Sequence, residues 1–172
     1  MQNLTENAKK GFLSKLSVSN CFLVFVTVLF GVIILGILLS QEVKMEKKAY
    51  VIEGGVKPVG PYSLSCSAGD LLFISGQLPL DPETNEMVKG DFSALAKRAM
   101  DNLKWVLENS GSSLELVIKT TVFIRDMSKF SVFNEVYSGY FKDNFPARAV
   151  VEVSNLPKNG EVEIEAIAIL RK

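Results

Sequence analysis

The sequence contains no histidine and only two cysteines among its 172 residues. The absence of histidine excludes Ser-His-Asp and Cys-His catalysis. It also excludes the common zinc sites, because two cysteines alone do not complete a tetrahedral structural site. The same two residues, Cys21 and Cys66, make no disulfide framework. Acid–base chemistry in this chain therefore falls to Glu, Asp, Tyr, Lys, the backbone or bound water.

The chain also lacks an excess of charge of either sign. Lys and Arg together number 19, and Asp and Glu together number 19, so the formal net charge is zero. A nucleic-acid-binding surface needs a basic excess to follow the phosphate backbone. The balance of charge therefore makes nucleic acid an unlikely partner. The length suits one domain with an appendage better than two domains.

One long apolar run lies near the N-terminus. Cys21 to Leu39 is 19 residues without a charge, and as a helix it would span about 28 Å. We predict a single transmembrane helix or uncleaved signal anchor over residues 21–40, after a flank of residues 1–20 and before a linker of residues 41–48. A cleaved signal peptide is the alternative. Translation from Met45 is a further alternative, and it would give a cytoplasmic protein without the anchor.

Residues 49–172 show the pattern of an α+β domain in the order β-β-β-α-β-α-β-β. Asp91 is the predicted cap of a helix that runs to about Asn109, and Ser128 is the predicted cap of a second helix. We expect a mixed sheet with both helices on one face. The other face still carries Val and Ile, so a second copy of the chain is its simplest cover. The Phe and Tyr residues of the second helix are predicted to be core. The predicted strands cover residues 49–52, 63–67, 71–77, 116–125 and 161–169, and a further strand lies within residues 144–153 with Arg148 at its start.

Two charged positions stand out among the C-terminal strands. Arg148 begins an otherwise apolar, β-branched strand, and an arginine that leaves water needs an anion. Glu163 lies on the next strand between Glu161 and Glu165, which share its face. A guanidinium near a carboxylate would hold a small carboxylic acid and activate a water. Alternatively, Arg148 forms a structural ion pair and the glutamates form a solvated face. Burial would raise the pKa of Glu163 and Arg148 would lower it, and the sequence leaves the balance open.

Five motifs in the same chain resemble those of the RidA (YjgF) family over roughly residues 47–172. They are Gly60–Tyr62, Ile74–Pro79, Val117–Phe123, Phe145–Arg148 and Glu163–Ala168. The resemblance implies a chorismate-mutase-like α+β fold and a homotrimer with active sites between subunits. It implies hydrolysis of 2-imino acids and their enamine tautomers, such as 2-iminobutanoate and 2-iminopropanoate, to 2-oxo acids and ammonia. It implies no cofactor and no metal. These substrates arise in the cytosol, which favours the cytosolic side for the domain of a membrane-anchored chain.

The resemblance also implies roles for individual residues. Arg148 would bind the substrate carboxylate and Glu163 would activate the attacking water. Val150 stands where the family commonly has cysteine, so only a backbone contact is expected there. The substrate-binding set is Tyr62, Ser75, Asn134, Arg148 and Val150.

Other functions remain open at this point. A non-catalytic, ligand-binding or chaperone-like member would keep the cleft without the reaction. Some relatives have been described as ribonucleases or translation inhibitors, and the neutral charge argues against that role. A third alternative is a membrane-anchored scaffold whose domain only trimerises.

Overall fold

The computed structural model describes residues 22–36, 45–141 and 143–171. The chain divides into two units, Met1–Val43 and Lys44–Lys172. The predicted flank of residues 1–20 and the first part of the predicted linker lie outside the described residues. The last two linker positions, Lys47 and Lys48, belong to the first strand instead.

The apolar N-terminal run contains helix α1, whose described part covers residues 22–36. No helix within the described residues is long and apolar enough to cross a membrane. At 1.5 Å per residue, the described part of α1 extends about 22 Å, against a hydrocarbon core of about 30 Å. The prediction of a transmembrane helix over residues 21–40 is therefore wrong for the part of the chain that is described. The predicted single-pass membrane localisation is wrong with it.

Six strands of the second unit form one mixed sheet in the order β1-β2-β3-β6-β4-β5. Neighbouring strands are antiparallel except β4 and β5, which run parallel because a helix crosses over between them. The element order β-β-β-α-β-α-β-β is confirmed, although β1 and β2 begin two residues away from their predicted starts. The strands are β1 (Lys47–Tyr50), β2 (Ser65–Ala68), β3 (Leu71–Gln77), β4 (Val117–Ile124), β5 (Ala147–Glu152) and β6 (Val162–Ile169).

Two helices accompany this sheet. Helix α2 (Phe92–Asn109) begins as predicted, because the Asp91 carboxylate accepts a hydrogen bond from the Ala94 N–H at 2.9 Å. Helix α3 (Phe130–Ser138) follows a short 3₁₀ turn over Met127–Lys129. The cap of that turn is Asp126, whose carboxylate accepts from the backbone N–H of Ser128 at 2.9 Å. The prediction that Ser128 caps the second helix is therefore wrong.

The core lies between the helices and one face of the sheet, which we call the covered face. Its strand residues Leu72, Val122 and Ile164 have no exposed surface. The helices supply the facing side chains, which recur at helical spacing. The expectation of two helices on one face is thus confirmed. The largest of their fully buried side chains are Phe133, Met100, Leu103, Leu107 and Val106.

The opposite face of the sheet, which we call the open face, carries apolar side chains that this chain does not bury. Leu71 and Ile169 are paired across β3 and β6, and Phe73 is paired with Ile167. Leu71 is 36%, Phe73 39% and Ile169 39% exposed. Apolar side chains on a sheet face normally pack against another layer.

Candidate active site

Arg148 is the second residue of β5 and lies on the covered face. Strand β5 runs beside β4 with Arg148 opposite Thr120 and Val150 opposite Val122. Thr120 and Val122 have no exposed surface, because α3 packs over this part of the sheet. The guanidinium is consequently half-buried at the edge of the core.

The Arg148 guanidinium packs against three aromatic rings of α3, those of Phe130, Phe133 and Tyr137, which we call the aromatic bed. Its central carbon lies 4.5 Å from the centre of the Tyr137 ring, 5.8 Å from Phe130 and 5.9 Å from Phe133. Ring faces attract a cation without neutralising it. The charge of Arg148 is thereby held at the edge of the core and remains available to an anion.

Polar contacts fix the bed and the guanidinium. Asn134 accepts a hydrogen bond from Nη2 of Arg148 at 2.7 Å. The hydroxyl groups of Tyr137 and Thr120 are 2.8 Å apart and hydrogen-bonded. Burial raises the pKa of Tyr137 above its ordinary value, so this hydroxyl stays neutral. Among the residues that the structure describes, no carboxylate forms an ion pair with Arg148.

Glu163 is the second residue of β6, and its side chain lies on the open face. It is paired with Phe123 of β4, three positions after Thr120, so it points away from the side that carries Arg148. The side chain is half-buried. Burial raises the pKa of its carboxyl group, and the neighbouring charge of Glu165 raises it further. Of the two opposing effects left open by the sequence, burial is the larger within a single chain, because Arg148 lies on the other face of the sheet and does not lower the pKa of Glu163.

Ser75 lies in an irregular part of β3, where the pairing with β6 shifts. Ile74 is paired with Ala166 and Gln77 with Ile164, so β3 carries one extra residue there, a β-bulge. The Ser75 hydroxyl donates to the carbonyl of Ser63 at 2.8 Å. Its oxygen therefore keeps the capacity to accept a hydrogen bond.

Tyr62 lies in the turn between β1 and β2. Its N–H donates to the carbonyl of Gly60 at 2.9 Å, and its hydroxyl accepts from the N–H of Val59 at 3.2 Å. The side chain is 42% exposed. Tyr62 thus presents its ring at the surface, and its hydroxyl remains free to donate a hydrogen bond.

Five of the six predicted site residues fall into two groups within one chain. Arg148, Asn134 and Val150 belong to the covered face and the helix above it, whereas Glu163 and Ser75 belong to the open face and the bulge beside it. A single chain therefore does not bring the guanidinium and the carboxylate to one ligand. No group of three or more metal-ligating side chains comes together in the described ranges.

The aromatic bed was not recognised as part of the site from the sequence. Its residues were predicted to be core, and Phe133 and Tyr137 are indeed buried. The spacing of Phe130, Phe133, Asn134 and Tyr137 is i, i+3, i+4 and i+7, which places all four on one face of α3. That stripe, with a polar residue among its rings, was the available signal.

Comparison with known proteins shows the family. The sequence model described as "Endoribonuclease L-PSP" matches residues 54–170. A RutC family protein of Pyrococcus abyssi is 48% identical over 124 residues, which cover 72% of this chain and 98% of that protein. The human 2-iminobutanoate/2-iminopropanoate deaminase is 42% identical over 111 residues, which cover 64% of this chain and 81% of that protein.

Solved structures agree with the sequence comparison. The crystal structure of RidA from the Antarctic bacterium Psychrobacter sp. has 41% identity and a TM-score of 0.68, covering 72% of this chain and 99% of that one. That of E. coli TdcF with bound serine has 35% identity and a TM-score of 0.68, with the same coverage of 72% and 99%. This chain belongs to the family described as endoribonuclease L-PSP, which includes the RidA and RutC proteins. Some relatives are named as imine deaminases, whereas many carry only the family name.

Proposed function

We propose that this protein hydrolyses 2-imino acids, and the enamines that tautomerise to them, to 2-oxo acids and ammonia. The observation that carries the proposal is Arg148. Its half-buried guanidinium rests on three rings and an amide oxygen and has no carboxylate partner among the described residues. The human relative that is named as a 2-iminobutanoate/2-iminopropanoate deaminase supports the choice of reaction.

Substrate binding begins at the guanidinium. A carboxylate accepts two parallel N–H donors of an arginine in a bidentate pair, which fixes the plane of the ligand. The side-chain oxygen of Asn134, on α3, accepts a hydrogen bond from Nη2 of Arg148 and so restricts the rotation of the guanidinium. The carbon next to the bound carboxylate is the imine carbon, and its distance from Arg148 is then fixed.

Hydrolysis adds one water to the C=N bond. Glu163, as a carboxylate, accepts a proton from that water while the water oxygen bonds to the carbon of the protonated imine and the C=N electron pair moves to nitrogen, which gives a neutral carbinolamine. Glu163 then passes this proton to the amino nitrogen and takes the proton of the carbinolamine hydroxyl group as the C–N bond breaks and the 2-oxo acid forms. The proton left on Glu163 departs with ammonia as ammonium, which restores the carboxylate. A protonated imine is already electrophilic, so orientation and general-base help suffice.

We place the working site between two copies of the chain, with Arg148 from one and Glu163 from the other. Within one chain these groups lie on opposite faces of the sheet, which supports a shared site. The exposed apolar side chains of the open face support it too, because a second copy would cover them. A homotrimer is the assembly that the family resemblance implies.

The reaction is tested by a coupled assay in which a serine dehydratase generates 2-aminoacrylate and 2-oxo acid release is followed. We expect acceleration by the wild type and a loss of about 30-fold or more for Arg148→Ala, since truncating a buried charge pair costs about 2 kcal/mol or more. Arg148→Lys should also be impaired, because an ammonium cannot reproduce the bidentate fork. The matched control is Arg125→Ala, which removes an exposed guanidinium elsewhere on the domain.

A mixing experiment tests the shared site. Arg148→Ala and Glu163→Gln chains, each strongly impaired alone, should recover activity when they are unfolded together and reassembled, because some interfaces then contain both intact residues. Activity that stays absent in the mixture would contradict a site between copies. Wild-type protein that fails to accelerate oxo acid release would contradict the reaction itself.

A second candidate is binding without turnover. The relative whose crystal structure contains bound serine favours it, because serine carries the same carboxylate that Arg148 would recognise. Calorimetric titration with serine and with 2-oxobutanoate distinguishes the two functions. Ligand binding that depends on Arg148, together with no acceleration of imine hydrolysis, would favour the binding role.

A further inference from the structure

The bulge in β3 contains a glycine, Gly76, whose backbone lies against the Glu163 carboxyl group. Ile74 and Gln77 both pair with the covered-face residues of β6, so the two residues between them occupy the space of one. Those residues are Ser75 and Gly76. A bulge of this kind changes the direction of the strand locally and re-aims the adjacent side chains.

Gly76 leaves the space that the Glu163 side chain fills. A β-carbon added to Gly76 would overlap Oε1 of Glu163 and would lie 2.6 Å from its Cδ and 3.0 Å from its Cγ. The backbone of Gly76 does not have a positive φ, unlike that of Gly54 or Gly69. Glycine is therefore required here by the neighbouring carboxylate and not by backbone conformation.

We propose that Gly76 is a positioning residue for Glu163: its missing side chain sets where the carboxylate stands on the open face. The contact keeps the carboxyl group against the backbone of β3 at Gly76 and partly out of bulk water. This inference rests on the proposed function for its catalytic meaning. Its structural part, the position of the carboxylate, does not depend on the reaction.

The experiment is Gly76→Ala, measured in the imine hydrolysis assay and by NMR titration of the Glu163 carboxyl group. A displacement of about 1 Å at a catalytic group costs about 10²-fold in rate, so we expect kcat to fall by about 10- to 100-fold. The KM should change little, because Arg148 still binds the carboxylate. The pKa of Glu163 should fall towards its ordinary value as the carboxyl group moves into water.

Two controls separate positioning from general damage. Gly31→Ala, in α1, adds a methyl group where no atom lies within 4 Å, and it should leave activity unchanged. In a Glu163→Gln background, Gly76→Ala should cause no further loss of rate, because the two residues act through one group. If Gly76→Ala lowers the rate further in the Glu163→Gln background, the proposal is overturned. It is also overturned if Gly76→Ala alone keeps the wild-type rate and leaves the pKa of Glu163 unchanged.

The fold of the variant is checked by its melting temperature. If Gly76→Ala unfolds the domain, Gly76→Ala/Glu163→Ala should restore folding, because truncation of Glu163 removes the overlap. A domain that stays unfolded in the double variant would contradict the assignment. If the wild type shows no deaminase activity, the proposed reaction is contradicted. If Gly76→Ala nevertheless changes the pKa of Glu163, the positioning role of Gly76 is still supported.

Discussion

The covered and open faces of the sheet are built from the same strands but are stabilised differently. On the covered face, Leu72 and Ile164 have no exposed surface, whereas on the open face Leu71 and Phe73 keep more than a third of theirs. Burial of a large apolar side chain stabilises the folded chain by about 1.5–3 kcal/mol. The covered face therefore holds the fold together within one chain, and the open face gains full burial only from another layer.

The two faces also treat charge differently. On the covered face, rings and an amide oxygen surround Arg148 and leave it positive. On the open face, burial and the nearby Glu165 charge push Glu163 towards its neutral form. In the proposed reaction, an anion binds at Arg148 and Glu163 holds or releases a proton. The proposed site therefore uses both faces, although one chain presents them in opposite directions.

The largest expected effect is the loss of a ring from the covered face. Phe133 is fully buried in α3, packs 5.6 Å from the Tyr137 ring and supports Arg148. We expect Phe133→Ala to lower the free energy of unfolding by about 3–5 kcal/mol, measured by denaturant titration. The comparison variant is Phe73→Ala on the open face, whose cost should rise with protein concentration because another copy would cover that ring in the proposed assembly. If both variants lose the same free energy of unfolding at every protein concentration, the proposed difference between the two faces is contradicted.

The next effect is the dependence of rate on pH. A general base must be ionised, so kcat should fall about tenfold per pH unit below the pKa of Glu163. Because that pKa is raised, the acid limb should lie above the ordinary glutamate range. Glu163→Gln should abolish this limb. A limb within or below the ordinary range would show that Arg148 of another copy offsets the effect of burial.

The raised pKa of Glu163 also predicts how the stability of the protein changes with pH. A carboxyl group with a raised folded-state pKa favours the folded state while it is protonated, below its unfolded pKa. That contribution is lost as the pH rises through the folded-state value. Wild type should therefore lose stability relative to Glu163→Gln across this window, measured by melting temperatures at matched pH values. A relative gain with rising pH would contradict the raised pKa.

A smaller effect is expected from Asn134, which orients Arg148. A hydrogen bond to a charged group contributes about 1.5 kcal/mol, so Asn134→Ala should raise KM about tenfold and leave the pH profile unchanged. Initial rates at several substrate concentrations measure this. Asn134→Asp is informative as well, because a carboxylate would pair with Arg148 and compete with the substrate. A change in kcat alone would contradict a role in binding.

The smallest effect is expected from removal of the Tyr137 hydroxyl group. Tyr137→Phe keeps the ring 4.5 Å from the guanidinium carbon but removes the hydrogen bond to Thr120. We expect a loss of about 1 kcal/mol in the free energy of unfolding, because the buried threonine hydroxyl loses its partner. The KM should stay close to that of the wild type. A large rise in KM would show that the hydroxyl, and not the ring, supports Arg148.

Several parts of the candidate site were predictable from the sequence, and others were not. The sequence left Arg148 with two interpretations, a substrate-binding group or a structural ion pair, and among the described residues no carboxylate pairs with it. Asn134 was placed in the site by resemblance, and the structure gives it a contact with the guanidinium. Gly76 belonged to a recognised motif, yet its proposed role was not predicted, because its close approach to Glu163 joins two strands far apart in the chain.

The sequence by itself determined the elements, their order and the alternation of sides along each strand, because local propensity and period-2 patterning are properties of neighbouring residues. Only the tertiary structure decided which side the helices cover and which charged residue lies on which face. The bulge shows the physical reason: Ile74 and Gln77 are three residues apart and still share a face, since one inserted residue resets the alternation. Register and bulges are set by pairing with distant strands, and that pairing places Arg148 and Glu163 on opposite faces.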